Sequence, residues 1–166
     1  MLYRRYLDPA RAKYSLKYYV TLAKELEAAG VHILGLKDMA GVLKPAAARV
    51  LITALKDETN LPIHFHTHDT SGIGGATVLA AVEAGVDAVD AAMDAMSGTT
   101  SQPTLGSIVE ALAHTDRDTG LDPEAIRRIS FYWEAVRSHY VAFESDLKPG
   151  HSKSICTRCR AGSLPT

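Results

Sequence analysis

Short strand-like runs at residues 31–36, 63–66 and 86–91 alternate with longer segments whose apolar side chains recur three and four apart. This rhythm constrains the fold more than any other feature of the chain. Runs of that length suit strands, and the three-and-four spacing suits helices. Strands separated by helices and short connections are joined in parallel, through right-handed crossovers. Asp8-Pro9 predicts an N-cap followed by proline in the first helical turn, opening a helix that runs to about residue 29. Leu16, Tyr19, Val20, Ala23 and Leu26 form its apolar face, and Gly30 ends it. Residues 2–7 read as a damaged strand before it. Pro45 opens a second helix, to about Glu58, with Val50, Leu51, Ala54 and Leu55 facing inward. A small-residue helix is expected over 74–84, a loop over 92–103, a helix over 104–113 and a polar link over 114–121. Asp122-Pro123 caps a last, long helix with Ile126, Ile129, Trp133, Val136, Tyr140 and Phe143 on one stripe.

The expected strands end in polar residues: Lys37-Asp38, His66-Thr67-His68-Asp69 and Asp90. Parallel α/β folds build their sites at the carboxyl ends of strands. Residues two apart in a strand share a face, so His66 and His68 can reach one point. Imidazole is a common ligand for zinc and related ions, and this spacing supplies a pair compactly. His64 has the same parity, so spacing alone does not say which pair binds, and a hydrogen-bonded polar strand end fits the same residues. A (β/α)₈ barrel needs about 250 residues; a chain of 166 would make about half of one, and an open three-layer sandwich gives the same rhythm.

Composition narrows the function classes. Hydrophobic residues make up 46% of the chain, which argues against disorder. A net charge of −1 offers no general attraction to nucleic acid or an anionic membrane. No apolar run is long enough for a bilayer span, and the first residues do not read as a signal peptide. Both cysteines lie near the end, so disulfides do not hold the body together, and a reducing, cytoplasmic location is expected.

Four blocks carry a resemblance: Leu7-Asp8-Pro9-Ala10-Arg11-Ala12-Lys13-Tyr14, Gly35-Leu36-Lys37-Asp38-Met39-Ala40-Gly41, His64-Phe65-His66-Thr67-His68-Asp69-Thr70-Ser71-Gly72 and Asp90-Ala91-Ala92-Met93-Asp94-Ala95-Met96-Ser97-Gly98. Together they resemble the carboxyltransferase domain of pyruvate carboxylase, over nearly the whole chain to Gly150. Lys37-Asp38-Met39-Ala40-Gly41 is shared with oxaloacetate decarboxylase alpha and transcarboxylase 5S-type subunits, the nearer rivals. Residues 66–72 and 97–103 look more like pyruvate carboxylase. A non-catalytic scaffold or binding module is the rival of another class.

The resemblance implies an α/β fold, an incomplete (β/α)₈ TIM barrel with parallel strands and outer helices. It implies a divalent metal (Zn, Mn or Co) held by Lys37, as a carbamate, and by His66 and His68, which leaves His64 to packing or support. It further implies carboxyl transfer from carboxybiotin to pyruvate, giving oxaloacetate. Biotin would ride on another domain of the parent polypeptide, ATP would be used by a separate biotin carboxylase domain, and the parent would be a homotetramer. Asp38, Asp69 and Asp90 are further candidate catalytic-site residues, for orienting ligand rings, with helix capping as the alternative for Asp38 and Asp69 and anchoring of the following loop as the alternative for Asp90.

Residues 1–150 are therefore expected to form part of a carboxyltransferase barrel that lacks an aspartate ligand, a substrate arginine and a proton-shuttle threonine, so that the chain alone would be inactive. The last residues depart from the resemblance. Residues 148–166 hold four basic and no acidic residues. One nucleotide run can encode both Ile155 to Leu164 and, in another frame, a family-like Leu-His-Glu-Met-Pro-Gly-Gly-Gln-Phe-Thr stretch. Residues 151–166 are accordingly expected to be a frameshifted, disordered tail, and Cys156-Thr157-Arg158-Cys159, without a second pair, reads weakly as a zinc knuckle.

Overall fold

The computed structural model describes residues 15–144. The expectations for residues 2–7, for the Asp8-Pro9 cap and for 151–166 lie outside them. Within them the order is α1 (Leu16–Ala28), β1 (Leu34–Asp38), α2 (Pro45–Glu58), β2 (Ile63–Thr67), α3 (Gly74–Glu83), β3 (Ala88–Val89), α4 (Leu105–Leu112) and α5 (Pro123–Tyr140). Single 3₁₀ turns sit at Asp94–Met96 and Val141–Phe143.

The strands pair in parallel in the order β1-β2-β3. Spatial order follows chain order without reversal, so right-handed crossovers place successive helices on one face of the sheet. That is the arrangement expected of a barrel segment. Among the described residues the sheet does not close into a full barrel.

The pleat of β2 decides what lies on each face. Ile63, Phe65 and Thr67 are buried, and His64 and His66 alternate with them as half-exposed residues. Ile63 and Phe65 join Leu34 of β1 in the core, with Ala48, Leu51, Ile52 and Leu55 of α2 and Val78 and Ala81 of α3. Each fully buried Leu or Ile contributes about 1.5–3 kcal/mol, so this cluster is the main source of stability. Small residues let α3 lie close: Thr77 donates its hydroxyl to the Leu43 carbonyl at 2.8 Å.

Four features differ from the sequence expectation. The first helix has its N-cap at Ser15, whose extended backbone lets its hydroxyl oxygen accept from the Tyr18 N–H. β1 starts at Leu34 rather than 31, because its pairing begins where Leu34 N–H reaches the Pro62 carbonyl and Leu34 comes opposite Ile63. β3 shrinks to Ala88–Val89, the two residues that pair with His64 and Phe65. The stripe on α5 is largely uncovered: Ile126 is buried, but Ile129 is 45% exposed, Tyr140 60% and Phe143 84%. That helix is anchored instead by Ile126 and Ser130, by Arg127 on Glu110 and by Arg137 on the Ala95 carbonyl. Among the described residues no helix is long and apolar enough to cross a membrane.

Asp87 ties the end of α2 to the start of β2. Its carboxylate accepts from the Ile63 N–H at 2.7 Å and from the Lys56 ammonium at 2.9 Å. The Ile63 hydrogen bond holds its carboxyl below the ordinary aspartate value; burial opposes this and Lys56 adds to it. A depressed folded pKa gives stability that is present above the unfolded value of about 3.9 and is lost as pH falls below it. Asp87→Ala leaves a part-buried N–H unpaired and should cost about 1–2 kcal/mol at pH 7, with a smaller difference between mutant and parent at pH 3. Thermal melts at the two pH values check both statements.

Candidate metal centre

His64 and His66 project from the face of β2 that carries no helix, and His68 follows just past the strand end. Lys37 of β1 is the register partner of His66, on the same face. The end of β3 brings Asp90 beside them, held by its N–H to the Phe65 carbonyl at 3.1 Å.

The hydrogen bonds fix the protons on the rings. Asp90 Oδ2 lies 2.6 Å from His66 Nδ1, and Oδ1 lies 2.7 Å from His64 Nε2. An ionised carboxylate only accepts, so both imidazoles donate to it. Burial works against ionisation of Asp90, but hydrogen bonds from His66 and His64 outweigh it and hold the carboxyl below its ordinary value. His68 Nδ1 lies 2.6 Å from the Thr100 carbonyl oxygen, which also can only accept. In their neutral forms His66 and His68 therefore both carry the proton on Nδ1 and a bare lone pair on Nε2. Those two Nε2 atoms are 3.1 Å apart, on rings inclined at 74°.

Two lone pairs facing each other at that distance repel unless a proton or a metal ion lies between them. A zinc ion with Zn–N of about 2.0–2.1 Å separates two ligand nitrogens by about 2.9–3.4 Å, depending on the angle at the metal. The donor set fits a divalent first-row ion. Among the described residues no third His, Cys, Asp or Glu side chain joins the pair. Lys37 is exposed, and its ammonium has no hydrogen-bond or ion-pair partner among the described residues.

Asp38 and Asp69 go elsewhere. Asp38 is 3% exposed and lies on the helix side of β1. Its carboxylate accepts from the Val42 and Leu43 N–H groups, at 3.1 and 2.8 Å, and from the Thr67 hydroxyl at 3.2 Å. Asp69 Oδ1 accepts from Gly74 N–H at the start of α3, at 2.8 Å. These contacts hold the loops that follow β1 and β2, and neither carboxylate reaches the imidazole pair. The two loops also latch to each other. The Asp38 carbonyl accepts from His68 N–H, and the Gly41 carbonyl accepts from the Ser71 hydroxyl. Gly41 has φ +57°, and a Cβ there would run into the His68 carbonyl oxygen. The Thr100 carbonyl is a contributor that sequence reasoning missed, and a backbone acceptor leaves no mark in residue types. It follows Thr99, held at φ +50°, a left-handed conformation unusual for a β-branched residue.

The HMGL-like family profile matches residues 9–132. The chain is 50% identical to pyruvate carboxylase of Bacillus subtilis (strain 168) over 147 residues, which is 89% of this chain and 13% of that protein. It is 53% identical to pyruvate carboxylase 1 of Caenorhabditis elegans over 148 residues, 87% of this chain and 13% of that protein. The chain thus spans about an eighth of these relatives' length. Among solved structures, the carboxyl transferase domain of Rhizobium etli pyruvate carboxylase with pyruvate and biocytin superposes with a TM-score of 0.87 at 72% identity, covering 90% of this chain and 25% of that one. The same domain with pyruvate alone gives the same values.

Gly41→Ala tests the latch. Left-handed backbone at a residue with a Cβ costs about 1–3 kcal/mol, and the clash adds to that by pushing the His68 backbone away. The variant should melt clearly below the parent, and the largest amide shifts in its fingerprint spectrum should fall on residues 66–71.

Proposed function

Because the chain belongs to the HMGL-like family and corresponds to part of the carboxyltransferase domain of pyruvate carboxylases, we propose that it supplies the histidine arm of a divalent-metal centre for carboxyl transfer from carboxybiotin to pyruvate, with oxaloacetate as product. The observation that carries this reading is the pair of Nε2 atoms on His66 and His68, 3.1 Å apart, on rings whose Nδ1 atoms already face acceptors. A bound ion there, zinc, manganese or cobalt, acts as a Lewis acid toward the pyruvate carbonyl.

The chain's own residues have distinct parts in this scheme. As neutral imidazoles, His66 and His68 would bind a cation without charge repulsion. Lys37 as an ammonium has no lone pair and repels a cation. Carbamylation converts it into an anionic oxygen donor on a long arm, and the register of β1 sets that arm opposite His66. Asp90 and the Thr100 carbonyl hold the rings, and Asp38 and Asp69 hold the loops that carry the ligands. The remaining ligands, the biotin carrier and the ATP-using step belong to the rest of a parent polypeptide, and the chain alone is inactive in this reading. Rhizobium etli pyruvate carboxylase structures with biocytin and pyruvate support the substrate assignment by likeness.

The test grafts residues 15–144 into Rhizobium etli pyruvate carboxylase in place of the matched segment. His68→Ala in that enzyme should lower bound metal and reduce oxaloacetate formation at least about 100-fold, since even ring-supporting contacts are worth 10–100-fold. Unchanged metal content together with unchanged turnover would overturn the reading.

A further inference from the structure

We infer that Asp90 and His64 form a positioning pair that locks the ring of His66 for metal binding. The inference rests on the metal reading above and adds roles for two residues outside the ligand set. His64 and His66 lie two apart on one face of β2, and Asp90 sits across from both at the end of β3. One carboxylate oxygen takes the His66 Nδ1 proton at 2.6 Å, and the other takes the His64 Nε2 proton at 2.7 Å.

Three consequences follow from that geometry. First, the His66 proton is held on Nδ1, although an unconstrained imidazole favours Nε2. This frees the nitrogen that faces His68. Second, a carboxylate with one partner can swing about its terminal bond, whereas one with both oxygens engaged cannot. His64 therefore acts on His66 through Asp90, by removing that freedom. Third, His64 has spent its Nε2 on Asp90, the ring atom that His66 and His68 leave bare. The parity ambiguity among the histidines of this strand is resolved by which ring nitrogen is already occupied. His68 has its own support, the Thr100 carbonyl at 2.6 Å, so the two ligand rings are oriented independently.

The experiment reads histidine ring tautomers in the metal-free full chain at pH 8, by long-range ¹H–¹⁵N correlation, and Zn²⁺ affinity by competition with a chromophoric chelator. In the parent, His66 and His68 should both show the Nδ1–H form. Asp90→Ala should return His66, but not His68, to the Nε2–H form and weaken Zn²⁺ binding about 10–100-fold. His64→Leu should give a mixture of His66 tautomers and a smaller loss. His64→Gln, whose amide can still donate to Asp90, should restore the parent tautomer. A His66 that keeps its Nδ1–H form in Asp90→Ala would overturn the proposal, as would a His64→Leu protein identical to the parent. The histidine variants leave the carboxylate in place, so they decide the matter even if Asp90→Ala does not fold. If instead His68→Ala leaves Zn²⁺ affinity unchanged while the tautomers behave as stated, the metal reading fails and the positioning pair stands.

Discussion

The alternation of side chains along β2 is the constraint on which the rest depends. Ile63, Phe65 and Thr67 face the helices, and His64 and His66 face the other way. Five residues thus serve the core and the site at once. A one-residue slip in register would put imidazoles among Leu51, Ile52 and Val78 and turn Phe65 out. The burial of Ile63 and Phe65, each at 1% exposure or less, opposes that slip. Hydrophobic packing on one face thereby fixes the position of His64 and His66 on the other, and pairing with β1 sets Lys37 beside them.

The ends of the strands extend this control beyond the pleat. His68 lies past β2, where alternation no longer holds it. It is placed instead by its own N–H on the Asp38 carbonyl, by Gly41 passing close under its carbonyl and by its ring on Thr100. Asp38 illustrates the division of labour. Its neighbour Lys37 faces the site, while its own carboxylate is buried under the loop and satisfies two backbone N–H groups and the Thr67 hydroxyl. A buried carboxylate with three donors is a rigid anchor, which suits a residue whose neighbour must be held in place.

Much of this was legible in the sequence, and the parts that were not share a cause. The helix from Pro45 to Glu58 was readable from proline at its first position and its periodicity, and the Asp122 cap from its side-chain type. The His66–His68 pair was readable from its spacing, but His68 lies beyond β2, so its loop contacts and the Thr100 carbonyl, rather than strand alternation, bring the two Nε2 atoms together. Asp38, Asp69 and Asp90 looked alike as carboxylates at strand ends. Their separation into two loop anchors and one imidazole partner depends on which face each presents and on which loop folds back, and those are tertiary facts. The α5 stripe predicted burial at Ile129, Tyr140 and Phe143, but periodicity reports that a face is apolar and not whether the described residues cover it. Thr100 was invisible because its carbonyl does the work.

The central claim is that His66 and His68 present two bare Nε2 atoms to one cation. Zinc K-edge X-ray absorption on the full chain, loaded with less than one equivalent of Zn²⁺, tests it most directly. The account predicts two imidazole nitrogens at about 2.0–2.1 Å, with the outer-ring scattering that marks histidine, and one fewer in His68→Ala. A first shell of oxygen alone, without imidazole scattering, would contradict it.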